Sequence, residues 1–354
     1  MTPPTRRSAA ERKDAVRALL GTARTVVRDR SRWTDAIART TGLSREGVEL
    51  GFTRHLETDA TEAELDALVA AAGDAPVVHV VLSANVFTAP LRAMALARAA
   101  APIVIVRPSR RDPVLARALA EVGGDLAITI DDELDVAAIS TGQVHVYGRD
   151  ETIALLRARV RAGVVVRGHG AGMGVAIVSP SADLDLAAEA LASDVVAFDQ
   201  RGCLSPRLAI AVGDDARALE LSRALHQALL VIAERVPRGT LTPDERADGA
   251  RWVDAVTFAG TAFRSADHVV GFVPRVAPLV APTGRHVHVC SAATASAARA
   301  HLAPFARWIV AVGSDDPEWA SNLAPPHARV SSLGAMQRPP LDGPVDRRSS
   351  APAL

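Results

Sequence analysis

The segment AFDQRGCLSP, residues 197–206, sets Cys203 between Gly202 and a Leu-Ser-Pro turn. A cysteine in that setting can be a nucleophile, because the neighbouring glycine lets a ligand approach closely and backbone N–H groups of a turn can stabilise an oxyanion. It can equally be a small side chain buried at a bend. Gln200, Arg201 and Gly202 lead into it, and the helix expected upstream ends near Phe198, so the thiol falls between elements, where functional side chains concentrate. Cys290 closes the strand-like run HVHVC and reads as core. Neither cysteine belongs to a Cys-x-x-Cys or Cys/His cluster with ligand spacing, so no metal site and no disulfide framework is expected.

The elements that must position this thiol are legible as an α/β pattern. From Pro76, short β-branched runs alternate with Ala-rich helical stretches: VVHVVLS, PLRAMALARAA, IVIV, DPVLARALAEV, LAITI, DDELDVAAIS, QVHVY, RDETIALLRARV and GVVVR. Strands and helices in strict alternation predict a doubly wound parallel sheet with right-handed crossovers, the architecture that binds nucleotides. Before it, residues 9–72 read as helices, with Val16, Leu19, Leu20 and Val27 at helical spacing and a further helix over TEAELDALVAA. After the Gly-rich GHGAGMG, residues 168–174, a second α/β unit follows. It has strands at VAIVS, RLAIAV, RWVDAVTF, HVVGFV, HVHVC and RWIVAV, and helices over DLDLAAEALASDVV, ARALELSRALHQALLVIAE and TASAARAHL. The expected domains are a helical segment 1–75, a cofactor-binding α/β domain 76–173, a catalytic α/β domain 174–333 and a tail 334–354. The tail is rich in Pro, Arg and Ser and reads as extended or partly free.

Composition narrows the function. The 354 residues carry 40 basic and 40 acidic side chains, too balanced for an electrostatic nucleic-acid binder. No apolar run approaches the roughly 18–20 residues needed to cross a bilayer. The N-terminal MTPPTRRSAAERKD places charges where a signal peptide would be apolar, so a cytoplasmic location is expected.

Four blocks, in order, resemble the aldehyde dehydrogenase superfamily and most closely its acyl-CoA and acyl-protein thioester reductase branch (LuxC-like), which includes the fatty-acid reductase subunit of bioluminescent bacteria. They are TTGLSREGVELGFTRHLE (40–57), SANVFTAPLRAMALARAAAPIVIVRPSRRDP (83–113), SPSADLDLAAEALASDVVAFDQRGCLSPRLAIAV (179–212) and ARVSSLGAMQRPPLDGPVDRR (328–348). The resemblance implies an aldehyde-dehydrogenase-like fold and reduction of an acyl thioester, on CoA or an acyl-carrier protein, to an aldehyde. It makes Cys203 the nucleophile and Asn85 an oxyanion donor. From the residues alone, Asn85 also reads as a turn or N-cap residue before FTAPLRAMALA, with Thr88 the more obvious cap. A homo-oligomer, or a complex with an acyl-activating enzyme, is implied as well. Two readings stay open beside this one: an acyl-phosphate reductase of the same fold, and a non-catalytic subunit that docks a carrier protein.

The cofactor follows by the same route. Arg107 stands where the superfamily usually has a lysine near the adenosine ribose, and Ser109 belongs to the same basic-Pro-Ser motif. With Arg110 and Arg111 the cluster would suit a 2′-phosphate, which favours NADPH over NADH. GHGAGMG is a poor dinucleotide fingerprint because it follows the fifth strand and not the first. By resemblance it lies near the cofactor phosphates, which makes Gly168 and Gly170 cofactor-binding candidates. Where the resemblance would put the glutamate general base stands His169, and residues 163–182 contain neither Glu nor Asp. An enzyme that hydrolyses a thioester needs that base to activate water, whereas a reductase must keep water out. His169 reads either as an acid/base for the thiol chemistry or as a loop histidine.

Overall fold

The computed structural model describes residues 7–274 and 278–348; the outermost parts of the expected helical segment and tail, 1–6 and 349–354, lie outside the described residues. The chain forms two compact units: Met1–Thr41, Gly51–Ala171 and Pro340–Leu354 make the first, and Gly42–Leu50 with Gly172–Pro339 the second. The chain passes from one to the other inside GHGAGMG, between Ala171 and Gly172.

The N-terminal helices are α1 (Ala9–Arg28), α2 (Ser31–Thr41), α3 (Arg45–Leu50) and α4 (Glu62–Ala72). Ser8 with Glu11, and Thr61 with Glu64, close capping boxes that satisfy the first N–H groups of α1 and α4. In the first unit there follow β1 (Val77–Val81), α5 (Ala89–Ala100), β2 (Ile103–Arg107), α6 (Val114–Val122), β3 (Ile128–Ile130), β4 (Gln143–Tyr147), α7 (Asp150–Arg159) and β5 (Val165–His169). The sheet is parallel with order β3-β2-β1-β4-β5, so the expected doubly wound fold is borne out and β1 is the strand at which the winding reverses. Helix α5 is buried from Pro90 to Ala100 between the sheet and α1 and α4, which its run of alanines permits.

In place of the expected third crossover helix over DDELDVAAIS there is a single 3-10 turn, Val136–Ala138. Asp131 and Asp135 accept hydrogen bonds from the N–H groups two residues on, at 3.0 and 3.1 Å, and these local bonds outcompete a helix ladder.

The second unit carries β6 (Met173–Val178), α8 (Leu184–Val196), β7 (Pro206–Val212), α9 (Asp215–Ala233), α10 (Pro243–Ala259), β8 (Thr261–Arg264), β9 (Val269–Phe272), β10 (His286–Ala292), α11 (Ala295–Leu302), β11 (Ile309–Ser314), α12 (Pro317–Ser321) and β12 (Arg329–Ser332). Its sheet has order β12-β11-β6-β7-β10-β9-β8, parallel except for β8 against β9. Alternate residues supply two cores. Ala176, Ala209, Ala211, Val287 and Val289 pack with Leu191, Val195, Leu221 and Leu225 of α8 and α9. Val175, Ile177, Leu208, Ile210 and Cys290 pack with Ala298 and Leu302 of α11, so Cys290 is core as expected.

RWVDAVTF, expected as a strand, is the C-terminal half of α10. Thr242 and Glu245 form a capping box with Pro243 at the first helical position, which nucleates a helix that runs on through this short apolar stretch. Gly249, Trp252 and Val256 then form its buried stripe.

Residues 334–348 are docked and not partly free: Met336 and Leu341 are each 1% exposed. Within the second unit, the Asp194 carboxylate accepts from Gly334 N at 2.6 Å and Met336 N at 3.0 Å. Within the first, buried Arg92 pairs with buried Glu57 at 2.6 Å and donates to the carbonyls of Pro340 and Gly343 at 2.9 Å. Arg92→Met strands the Glu57 carboxylate inside the fold and frees those carbonyls. A loss of about 3–5 kcal/mol is expected, read as a lower urea midpoint. A midpoint equal to the wild type would contradict this clamp.

Candidate active site

Cys203 sits in the loop between α8 and β7, and the backbone entering that loop is under strain. Phe198, Asp199 and Gln200 have φ of 54°, 50° and 65°, three successive non-glycine residues in the left-handed region. Tertiary contacts hold them there. The Asp199 carboxylate, 1% exposed, meets the Arg285 guanidinium at 2.8 Å, and Arg285 is itself 1% exposed and at φ 65°. The other Asp199 oxygen accepts from Gly239 N at 3.0 Å, and its main-chain carbonyl accepts from Gly284 N at 3.1 Å.

Gln200 closes the loop. Its side-chain Nε2 donates to the carbonyls of Pro206 at 2.6 Å and His286 at 2.7 Å, while Oε1 accepts from His286 N at 2.8 Å. The amide thus ties residue 200 to residue 206, with Cys203 at the tip of the bridged segment. Arg201 is held by both oxygens of Glu245, at 2.7 and 3.1 Å. Ser205 N donates to Gly202 O at 3.1 Å, a β-turn whose second residue is Cys203. Gly174 N donates to Ser205 O at 2.9 Å, and a Cβ on Gly174 would lie 2.1 Å from Leu204 O, so only glycine lets β6 approach the loop this closely.

The result is a thiol on a rigid support. Gly202, Leu204, Ser205 and Pro206 are buried and Cys203 is partly exposed. Cys290 differs in kind: burial pushes its thiol up to about 12, so it stays protonated and inert.

The other expected site residues lie in the first unit, at the carboxyl end of its sheet, where doubly wound folds bind ligands. Asn85 occupies the bend after β1, exposed, with a side chain that makes no hydrogen bond among the described residues. It is not a helix cap: Thr88 holds the N-cap position of α5, and that hydroxyl makes no capping bond either. Arg107 ends β2 and donates to the Leu134 carbonyl at 3.0 Å. Ser109 and Asp112 bridge across the following turn, with Asp112 N donating to Ser109 O at 3.3 Å. This presents Arg110 and Arg111 at its tip, both exposed and neither side chain hydrogen-bonded or ion-paired among the described residues.

His169 ends β5, its ring stacked on Tyr147 at 4.3 Å between centroids. Burial, outweighing nearby Asp346, pulls its pKa down to about 4, so the ring is neutral at pH 7. The space beside the neighbouring glycines is taken by α7: a Cβ on Gly168 would lie 2.6 Å from Ile153, and one on Gly170 2.1 Å from an Asp150 oxygen.

Arg285 and Arg207 were not found by sequence reasoning. Arg285 stands more than eighty positions from Asp199, so only the fold pairs them. Arg207 stands four residues after the thiol, where its basic type was the only signal.

The fold has solved counterparts. An oxidoreductase from Marinobacter aquaeolei superposes with a TM-score of 0.70 at 12% identity, covering 91% of this chain and 76% of that one. The NAD-dependent benzaldehyde dehydrogenase of Corynebacterium glutamicum gives 0.67 at 15%, covering 90% and 79%. The NADP-dependent glyceraldehyde-3-phosphate dehydrogenase of Bacillus halodurans, solved with NADP, gives 0.65 at 16%, covering 92% and 78%. The expected aldehyde-dehydrogenase-like fold is thereby borne out. No curated protein sequence matches the chain. The model of the acyl-CoA reductase family, LuxC, matches residues 49–344, and this chain, an oxidoreductase of acyl groups, belongs to that family.

Proposed function

We propose that this protein reduces an acyl thioester, on CoA or an acyl-carrier protein, to an aldehyde with NADPH through an acyl-Cys203 intermediate. The observation that carries the reading is the thiol itself: partly exposed, at the tip of a loop closed by Gln200 and locked by Asp199 and Arg285. Such pre-positioning is what a nucleophile needs and a packing residue does not.

The Cys203 thiolate attacks the acyl carbon, a new C–S bond forms, and the carrier thiolate leaves to take a proton from water. When bound, a nicotinamide cofactor would supply the hydride that this carbon takes. The oxyanion then collapses, the C–S bond breaks, the aldehyde departs and the thiolate is restored. By family resemblance Asn85 gives its amide N–H to the oxyanion, a role consistent with a side chain that has no other bond. His169, neutral and stacked, is assigned no proton to donate at pH 7. Residues 163–182 hold no carboxylate to activate water against the thioester, and the lowered pKa of His169, about 4, makes it a weak base.

Features of the first unit support a nicotinamide cofactor: β1 is the switch point at which doubly wound sheets bind nucleotides, and Arg107 with the exposed Arg110 and Arg111 would offer charge to a 2′-phosphate. Gly168 and Gly170 contribute indirectly, by letting β5 and the segment after it lie close to α7.

Two outcomes check this. Cys203→Ala abolishes both aldehyde formation and the mass increment left by an acyl thioester; a variant still acylated at wild-type stoichiometry, or a wild type that turns over acyl phosphate and not thioester, overturns the assignment. Replacing Arg110 and Arg111 together by alanine lowers kcat/KM for NADPH about tenfold or more and leaves NADH little changed. An equal effect on both cofactors would remove the 2′-phosphate reading.

A further inference from the structure

In the second unit, away from the Cys203 loop, a chain of three side chains joins α9 to the turn between β8 and β9. His226 of α9 has its Nδ1 2.8 Å from His268 Nε2, and His268 Nδ1 lies 2.8 Å from Ser265 Oγ. His268 is 1% exposed and His226 is partly exposed. The Ser265 oxygen also accepts from the N–H groups of Asp267 and His268, both at 3.1 Å. Those two bonds fix the direction of the chain. A hydroxyl oxygen has two lone pairs, both taken here by main-chain donors, so Ser265 meets His268 Nδ1 only by donating its proton. His268 therefore carries its own proton on Nε2 and gives it to His226 Nδ1, which leaves the His226 proton on Nε2.

The charged groups around the chain are engaged elsewhere. Asp267 accepts from Arg238 N at 3.1 Å, the Arg238 guanidinium donates to the carbonyls of Ala266 and Gly284, and Arg285 is bound by Asp199. Strand β8 presents the Phe263 ring, 5.8 Å from that of His226. The faces that α8, β7, β9 and β10 turn toward Leu221 and Leu225 of α9 are apolar, with Leu191, Ala209, Val270 and Val289 among them. Burial, then His226, Arg285 and Arg238 against the opposing Asp267, pulls His268 down to about 4, and burial lowers His226 as well.

We propose that this chain is an acid-sensitive latch, which holds the β8–β9 hairpin on α9 while both histidines are neutral and releases it when either takes a proton. A proton on His226 sets two N–H groups against each other. A proton on His268 sets its Nδ1–H against an oxygen whose lone pairs are both in use. The chain cannot reverse to relieve either clash, because Ser265 has no place for a third donor. Since both histidines titrate below the ordinary value of about 6.5 in the fold, the latch contributes fully above that pH and is lost as the pH falls through the acid range below it. It adjoins the lock of the Cys203 loop: Val269, the residue after His268, donates its N–H to Arg285 O at 3.1 Å.

The test uses the full-length protein. At pH ~7.5, long-range proton–nitrogen NMR is expected to show His226 and His268 as neutral rings protonated on Nε2; an imidazolium, or a ring protonated on Nδ1, at either position overturns the directional chain. His226→Asn sets an amide oxygen where Nδ1 stood, able to accept from His268 but unable to take a proton. Its urea midpoint at pH ~7.5 stays near that of the wild type, whereas His226→Leu, which has no acceptor, lowers it. Between pH ~7.5 and ~5.5, corrected for intrinsic rates, hydrogen exchange through residues 261–272 quickens about tenfold or more in the wild type and much less in His226→Asn. Equal quickening in the two proteins, or a His226→Leu midpoint equal to the wild type, overturns the latch and leaves the Cys203 reading untouched.

Discussion

The buried contact between Asp199 and Arg285 is the constraint on which the Cys203 loop depends. Three successive left-handed residues cost about 1–3 kcal/mol each, and such strain persists only where the surroundings over-determine it. Asp199 is engaged through both carboxylate oxygens and its carbonyl, and Gln200 through every polar atom of its amide. The strained turn reverses the chain out of α8, so that a loop of a few residues can present Cys203 while its neighbours stay buried. An Asp or Gln chosen only for solubility would not be enclosed to 1% exposure or less.

The second unit therefore holds the partly exposed Cys203 thiol by backbone geometry. The first is a parallel sheet at whose carboxyl end stand the Asn85 amide and the Arg110 and Arg111 cations, whose side chains make no hydrogen bond or ion pair among the described residues. The strained loop is costly by itself, whereas the exposed amide and cations keep their hydration. Sites that bind or transform a ligand are where such costs are tolerated.

The chemistry is shaped by what holds charge. With no carboxylate in residues 163–182, the segment where the superfamily resemblance would place the general base holds His169, which its lowered pKa of about 4 makes a weak base. A segment without that carboxylate lacks the usual group for turning water on an acyl thioester, which accords with membership of a reductase family.

Much of this was written in local pattern. Alternating β-branched and Ala-rich runs determined the doubly wound sheet, because strand and helix periods are local properties. The order of four motif blocks determined the family, and AFDQRGCLSP singled out the partly exposed thiol, Cys203, from the buried Cys290. Patterns failed where a short segment had two solutions. RWVDAVTF joined a helix because a capping box with its N-cap at Thr242, nine residues upstream, nucleated it, and DDELDVAAIS lost its helix to Asp side chains bonding their own backbone. The apparently loose C-terminal stretch was docked by Asp194 and Arg92, partners well over a hundred positions away. Only the tertiary structure could pair Asp199 with Arg285 or set Arg207 in a β-bulge. Those contacts join residues whose proximity is created by strand order and register, which no single stretch of the chain encodes.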